Sequence, residues 1–527
     1  MIEKLFKYYR TIRHLKFIQI WNRIVRKVIP FTVPQADLDA SFTLRSKWLF
    51  CNSPEIFDGE NFTFLNKTIA LKSADDWNLC TDDKLWLYNL HYFDFLKQCE
   101  FRKNPCSDTL IERWIDENPV GIGNGWEPYT LSLRIVNWIK WIWNNNKPSE
   151  KILNNLYLQC RALSRQLEYH LLANHLMSNG KALIFAGLFF QGKEAECWLK
   201  KGWQIYQKEI NEQVLEDGGH FERSPMYHSI ILEDLLDVYQ ASGKTDLKKT
   251  IEKMLFFLEC MTHPDRQIAL FNDAAWKIAP SPDDIFNYAS ALGFRQFHIP
   301  DSGVVDLAQS GYVRVKHGKW DLFLDCGDIG PAYQPGHAHA DTLSFELTYC
   351  GRRILSDSGT GSYQGKERAY QRSTAAHNTI VIDGKNSSEV WSAHRVGARA
   401  KILTREKLIS GYRSSHNGFK NVICTRTWLW DEKSIQIYDQ LNGRGIHKIE
   451  LFFHLMPDEK ITLIENHKIY TSSDLIITLP ENGTLDIEET HISPEFGIWF
   501  SRETIKLTVI ETLPLELSTQ IAIRETL

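Results

Sequence analysis

Two hydrophobic periods divide this chain. Between about residues 85 and 295, apolar residues recur at three- and four-residue spacing. The runs are IERWIDEN, LSLRIVNWIKWIWNN, ILNNLYLQCRALSRQLEYHLLANHL, GKALIFAGLFFQG and PMYHSIILEDLLDVYQASG. That spacing lines one face of a helix. Short Gly, Pro or Asn breaks separate the runs, so the pattern predicts amphipathic helix pairs wound into a toroid or solenoid rather than one small bundle. Near residue 300 the period becomes two. SGYVRVKHGKWDLFLDCG, DTLSFELTY, HNTIVIDG, NVICTRTWLW, SIQIYDQL, HKIELFFHLMP, HKIYTSSDLIITL and ETIKLTVIETL alternate apolar and polar residues between Gly, Asn, Asp and Pro turns. This predicts a large antiparallel β-sandwich.

The fold class expected is therefore α+β and multidomain. Residues 1–84 form an extension with an N-terminal helix and a hairpin at FTFLNKTIAL, residues 85–300 the α/α toroid, and residues 301–527 the sandwich. The boundary falls at FRQFHIPDSG, residues 294–303.

The opening MIEKLFKYYRTIRHLKFIQIWNRIVRKV is basic and amphipathic. Its apolar face is expected to pack on the domain behind it, with an anionic membrane surface as the alternative partner. It has no continuous apolar core and no small-residue cleavage site, so it does not read as a secretory signal, and the expected location is cytoplasmic. No run reaches the ~20 apolar residues of a membrane span.

Composition narrows the partners. The 527 residues are 43% hydrophobic and 24% charged, with a formal net charge of −4. No basic excess is available to neutralise phosphates, so nucleic acid is not an expected partner. Seventeen Trp suit stacking against sugar rings, although most are expected in the core. Ten scattered Cys without a CxxC pair read as buried free thiols.

Candidate chemistry concentrates in GHAHADTLSFELTYCGRRILSDSGTGSY, residues 336–363. Read as a strand, this segment projects His337 and His339 to one side. Asp357 follows on the next apolar run, and His377 opens HNTIVI. Converging imidazoles and a carboxylate can hold a metal or move protons. One carboxylate with imidazoles suits Zn²⁺ better than Ca²⁺ or Mg²⁺. The helical half adds Asn174-His175 and the segment DGGHFERSPMYH. There Gly218-Gly219 reads as a flexible loop, Ser224 as an N-cap and Pro225 as the first helical residue. Tyr227 then lies in the first turn, where the helix dipole favours a phenolate. Within NGWEPYTLSLRIVNW, Trp126 could stack on a sugar and Arg134 pair with a substrate carboxylate, and either could equally be a structural helix residue.

The motifs NGWEPYTLSLRIVNW, NHLMSNGKAL, DGGHFERSPMYH, HAHADTLSFEL with LSDSGT, and RSTAAHNTIVIDG occur in an order that resembles the heparinase II/III-like polysaccharide lyases, a group that includes related alginate lyases. The resemblance runs from about residue 85 to at least 455. It implies an incomplete α/α toroid on an antiparallel β-sandwich with the active cleft between them. It further implies that Asn174 and His175 neutralise a uronate carboxylate, that Tyr227 and His337 transfer protons, and that His339, Asp357 and His377 bind one zinc ion of structural role. The implied substrate is an anionic, uronic-acid-containing polysaccharide, cleaved by β-elimination; the expectation that it is a bacterial surface polymer in processing rests only on the missing secretory signal. Two alternatives stay open. Asp217 and Glu222 could serve as the carboxylate pair of a glycoside hydrolase, or the chain could be a non-catalytic glycan-binding or assembly protein.

Overall fold

The computed structural model describes residues 2–28, 31–33, 41–45, 47–79 and 84–524. Cys80 lies outside them. The opening segment is two helices, α1 (Ile2–Ile12) and α2 (Phe17–Val28). The expected hairpin pairs β1 (Asn61–Phe64) with β2 (Lys67–Ala70), Phe62 opposite Ile69.

Among the described residues nine α-helices build the toroid: α3 (Lys84–Tyr92), α4 (Pro105–Glu117), α5 (Pro128–Trp143), α6 (Glu150–Arg165), α7 (Ala173–Phe189), α8 (Lys193–Gln213), α9 (Pro225–Ser242), α10 (Lys248–Cys260) and α11 (Pro282–Ala291). Their starts follow local chemistry. Asn104, Ser149, Ser224 and Ser281 cap α4, α6, α9 and α11 through side-chain oxygens, and Pro occupies the first turn of α4, α9 and α11. Trp138, Trp141 and Trp143 of α5 are fully buried, as are Trp77, Trp86 and Trp114. The tryptophan richness of this half is thus mainly core.

Two features differ from the sequence reading. The run ILNNLYLQC…LLANHL is not one helix; it breaks between Arg165 and Ala173, where Leu172 and Ala173 take positive φ values of 65° and 53°. Gly218-Gly219 is not a flexible loop. Gly218 (φ +89°) packs so closely that a Cβ would lie 2.2 Å from the Lys253 carbonyl oxygen, and Gly219 abuts Phe257 and Ser310.

The change of period corresponds to a change of element: α11 ends at Ala291 and β3 begins at Gly303. A five-stranded antiparallel sheet runs in the order β3 (Gly303–Leu307), β4 (Tyr312–His317), β5 (Trp320–Asp325), β6 (Phe345–Tyr349) and β7 (Arg352–Leu355). A ten-stranded sheet centres on two long strands, Ser434–His454 and Phe500–Ile523, paired antiparallel with Ile435 opposite Ile521. The runs SIQIYDQL and HKIELFFHLMP are halves of the first of these strands. Val313, Leu322, Phe345 and Leu347 of the small sheet share a core with Trp428, Ile437, Phe453 and Ile505 of the large one. Of the nine cysteines described, Cys51, Cys160, Cys260, Cys326 and Cys424 are buried, but Cys99, Cys106, Cys197 and Cys350 are exposed, against expectation.

The opening helices also depart from expectation. α1 turns its polar side inward: Arg10 pairs with Glu389 at 2.8 Å, and Trp391 Nε1 donates to Thr11 at 3.1 Å. Leu5, Phe6, Tyr8, Tyr9 and Ile12 are exposed.

Candidate active site

A cleft of about 1100 Å³ lies where the toroid meets the sandwich. Asn174, His175, Tyr227, His337, Tyr363 and His394 all line it. Four of the residues singled out from sequence therefore converge across more than 160 positions of chain.

Each is placed by local structure. Asn174 and His175 open α7, just after the left-handed residues Leu172 and Ala173, a backbone state that costs free energy and clusters at functional sites. The His175 N–H donates to the Asn174 side-chain oxygen at 2.9 Å, so the group Asn174 can offer a ligand is its NH₂. His175 Nδ1 lies 3.0 Å from Glu168 Oε1. Burial works against its charge, but the Glu168 carboxylate outweighs it, and the imidazole pKa is raised. Glu168 is itself held by Asn179 at 3.0 Å.

Tyr227 sits in the first turn of α9, where its N–H donates to the Ser224 cap at 3.2 Å. The position expected is found; the ionisation is not. Burial pushes the phenol well above its ordinary value, and Tyr363, Asp273 and Glu222 push the same way. These outweigh the helix dipole, so Tyr227 rests as a neutral phenol. Its hydroxyl lies 2.9 Å from that of Tyr363, and its ring lies 4.0 Å from the His337 ring, centroid to centroid.

The His-x-His segment is a loop, not a strand; β6 begins only at Phe345. The two imidazoles nevertheless converge, because both bind Asp273. His337 Nδ1 lies 2.7 Å from Asp273 Oδ2, and His339 Nε2 lies 2.8 Å from Oδ1. Arg368 reaches both oxygens. Burial opposes ionisation of Asp273, but Arg368 and the two histidines hold its carboxyl well below the usual range. An anionic Asp273 fixes the proton on His337 Nδ1 and leaves Nε2 with the free lone pair. Glu222 Oε2 lies 3.6 Å from that Nε2, in full burial that raises its carboxyl pKa.

His339, Asp357 and His377 are completely buried, with one ligand atom from each within 4.8 Å of the others. His377 Nδ1 meets Asp357 Oδ2 at 2.7 Å. His339 Nδ1 and His377 Nε2 are buried without a hydrogen-bond partner. Two orphaned imidazole nitrogens beside a carboxylate are a donor set that fits a zinc ion.

Two expected substrate contacts are corrected. Arg134 is fully buried in the toroid core, donating to Gln159 Oε1 (2.9 Å) and to the carbonyls of His91 (3.1 Å) and Gly125 (2.6 Å), with its guanidinium 3.9 Å from the Trp114 ring centre. Trp126 is buried beside Trp114. Neither lines the cleft. The hydrolase pair is not assembled either: Asp217 accepts from Gly219 N in its own turn (3.0 Å) and from Ser310 N in the β3–β4 turn (2.7 Å). Asp273, Tyr363, Arg368 and Glu168 were not singled out in sequence. Asp273, Tyr363 and Arg368 act through partners 64 or more positions away, which no local spacing reveals, whereas Glu168 lies only seven positions before His175.

Residues 84–291 match the family described as Heparinase II/III N-terminus, and residues 299–523 match Heparinase II/III-like, C-terminal. The chain belongs to the heparinase II/III-like family. This heparinase II/III-like chain is 27% identical over 379 residues to a heparin-sulfate lyase of Bacteroides stercoris, covering 65% of this chain and 55% of that protein. It is 26% identical over 317 residues to a heparin-sulfate lyase of Pedobacter heparinus, covering 52% and 47%. It thus spans about half the length of these relatives. A crystal structure of heparinase III superposes with a TM-score of 0.67 at 18% identity, covering 85% of this chain and 79% of that one. At that identity the superposition establishes the shared fold, a helical toroid with a β-domain.

Proposed function

We propose that this protein is a polysaccharide lyase that cleaves a uronic-acid-containing polymer by β-elimination. The observation that carries the reading is the ring contact of Tyr227 with His337, itself aligned by Asp273, in a cleft that also presents Asn174 and His175. The matched relatives named heparin-sulfate lyase support it.

The chemistry follows from the charges. The uronate C5 proton is weakly acidic because the adjacent carboxylate is anionic. The Asn174 NH₂ and the His175 imidazolium would bind that carboxylate and stabilise the enolate-like intermediate. His337 Nε2 takes the C5 proton, the C5–H electron pair forms the C4–C5 double bond, and the C4–O4 bond breaks. The neutral Tyr227 phenol gives its proton to departing O4, and Tyr363 hydrogen-bonds the phenolate that results. His339, Asp357 and His377 would hold a zinc ion, which as a buried divalent cation would fasten the loop bearing His337. The polymer would be a surface polysaccharide that the protein processes.

The cleft also bears on sulfation. Lys97, Lys140 and Lys181 line it, and each is already ion-paired: Lys97 with Asp94 (3.0 Å) and Glu233 (3.1 Å), Lys140 with Asp237 (2.8 Å), Lys181 with Asp234 (2.5 Å) and Asp237 (2.6 Å). A sulfate at this end of the cleft would meet paired ammonium groups and four carboxylates. This end of the cleft therefore favours unsulfated sugar units.

The test is ultraviolet absorbance during incubation with a panel of uronate polysaccharides, wild type beside Tyr227→Phe. Elimination creates an alkene conjugated to the carboxylate; hydrolysis does not. Rising absorbance from wild type alone supports the reading, and chain shortening without absorbance refutes it.

A further inference from the structure

We propose that α1 and α2 form a docking surface for an anionic lipid bilayer, by which the protein sits on a membrane face without crossing it. Three observations carry this, independently of the reaction proposed above.

The first is which side of each helix meets the body. In α1, Arg10 binds Glu389, Thr11 accepts from Trp391, and the Lys7 ammonium lies 5.1 Å from the Trp391 ring centre. At the start of α2, Lys16 pairs with Glu212 and lies 3.9 Å from the Tyr333 ring centre, and buried Gln19 donates to the Leu171 carbonyl at 3.2 Å. Ile18 adds an apolar contact with the toroid core. The pair is therefore fastened to both halves of the molecule, largely through polar groups.

The second is what remains outside. Phe17 is 79% exposed, Trp21 55%, Ile24 53% and Val28 73%, and Ile20 lies between them. Their spacing of three and four places them on one face of α2. On α1, Leu5, Phe6, Tyr9 and Ile12 are exposed as well. Solvent-facing apolar side chains in this number mark an interaction site.

The third is charge. Residues 2–28 hold eight Lys and Arg but one acidic residue, Glu3, in a chain whose overall balance is 61 to 65. Lys4, Arg13, Arg23 and Lys27 are exposed beside the apolar face. An apolar, aromatic face flanked by cations is complementary to the acyl and headgroup boundary of an anionic bilayer. No helix among the described residues is long and apolar enough to cross a membrane, which makes the contact interfacial. The anchor is fastened to segments that lead into the cleft. Trp391 stands three positions before His394, and Leu171 three before Asn174, so docking would hold the cleft close to the lipid surface.

The experiment is co-sedimentation of the full chain with phosphatidylcholine vesicles, and with vesicles that also contain phosphatidylglycerol. The wild type is expected to partition roughly tenfold or more onto the anionic vesicles, less so as salt rises. The variant Phe17→Ser/Trp21→Ser/Ile24→Ser is expected to stay in solution. Its thermal melting should be unchanged, because these side chains are exposed. The charge variant Arg23→Glu/Lys27→Glu should lose the preference for anionic vesicles. Equal recovery in the supernatant with both vesicles overturns the proposal. So does a wild-type dimer, seen by sedimentation equilibrium, that the triple variant dissolves while neither protein pellets with vesicles; the occupant would then be a second copy.

Discussion

Asp273 Oδ2 stands 2.7 Å from His337 Nδ1, joining a side chain that follows α10 to one in the loop before β6. The same carboxylate takes His339 Nε2 and Arg368. One buried anion therefore sets the tautomer of the proposed base, braces a candidate metal ligand and neutralises an arginine.

Replacing that anion should be costly twice. Asp273→Asn is expected to lower kcat/KM by on the order of 10³-fold, since the imidazole loses the partner that directs its lone pair. It should also destabilise the fold by about 3–5 kcal/mol, because Arg368 is left charged and buried. The folded-state pKa of Asp273 is depressed, so its contribution to stability is present above the ordinary carboxylate value and is lost as pH falls below it. Denaturant melts of wild type and variant between neutral and acid pH check both: the stability gap should narrow on the acid side.

Tyr227→Phe removes only a hydroxyl. Elimination is expected to fall by on the order of 10²–10⁴-fold. Thermal melting should change little, since Tyr227 Oη has Tyr363 as its hydrogen-bond partner and that phenol lines the open cleft. Turnover followed by absorbance, beside a melt of the same sample, separates the two. A variant turning over at the wild-type rate would remove Tyr227 from the reaction.

What was legible in the sequence and what was not divides along physical lines. Period-two alternation located strands such as Val422–Trp430, and Ser-Pro at 224–225 located the start of α9, because both signals are local. The His-x-His spacing points to chemistry but not to its geometry; the convergence comes from Asp273, 64 positions from His337, rather than from a pleat. Arg134 and Trp126 looked available to a ligand because burial is not a local property; Trp114 and Gln159 enclose them only in the fold. Tyr227 was placed correctly, yet its protonation depends on burial that one turn of helix cannot report.

The His175–Glu168 pair predicts a pH dependence of binding. The imidazole pKa is raised in the folded protein, so the cation is fully present below the ordinary value of about 6.5 and is lost as pH rises through the raised value. The stability linked to the pair is lost over the same alkaline side. KM for an anionic polymer is expected to climb over that interval. In Glu168→Gln, which removes the carboxylate that raises the pKa, the climb should begin at lower pH. A KM profile that is flat for both proteins would exclude His175 from carboxylate binding.

His339→Ala is expected to lose bound zinc and to lower Tm by about 5 °C or more, since metal affinity is folding free energy. Elemental analysis of purified wild type and variant, with melts before and after chelation, makes the check. Chelation should lower the wild-type Tm and leave the variant unmoved, because its orphaned partner nitrogen on His377 then has no ion to lose. Equal metal content in both proteins would place the ion elsewhere.

The paired lysines of the cleft predict a preference among polymers. An unpaired lysine can bind a sulfate at little cost, whereas Lys181 must first leave Asp234 and Asp237, and Lys140 must leave Asp237. Breaking such buried pairs costs several kcal/mol, more than a sulfate contact returns beside the carboxylates left behind. Turnover of an unsulfated uronate polymer should therefore exceed that of its fully sulfated counterpart by roughly tenfold or more in kcat/KM. Asp234→Asn should narrow the ratio, because it removes a repelling charge while Asp237 continues to hold Lys181. Paired assays on desulfated and sulfated forms of one polymer measure the ratio directly, and a preference for the sulfated form would show that sulfate is met outside these pairs, where exposed Lys67 lines the cleft, or that the pairs open when substrate binds.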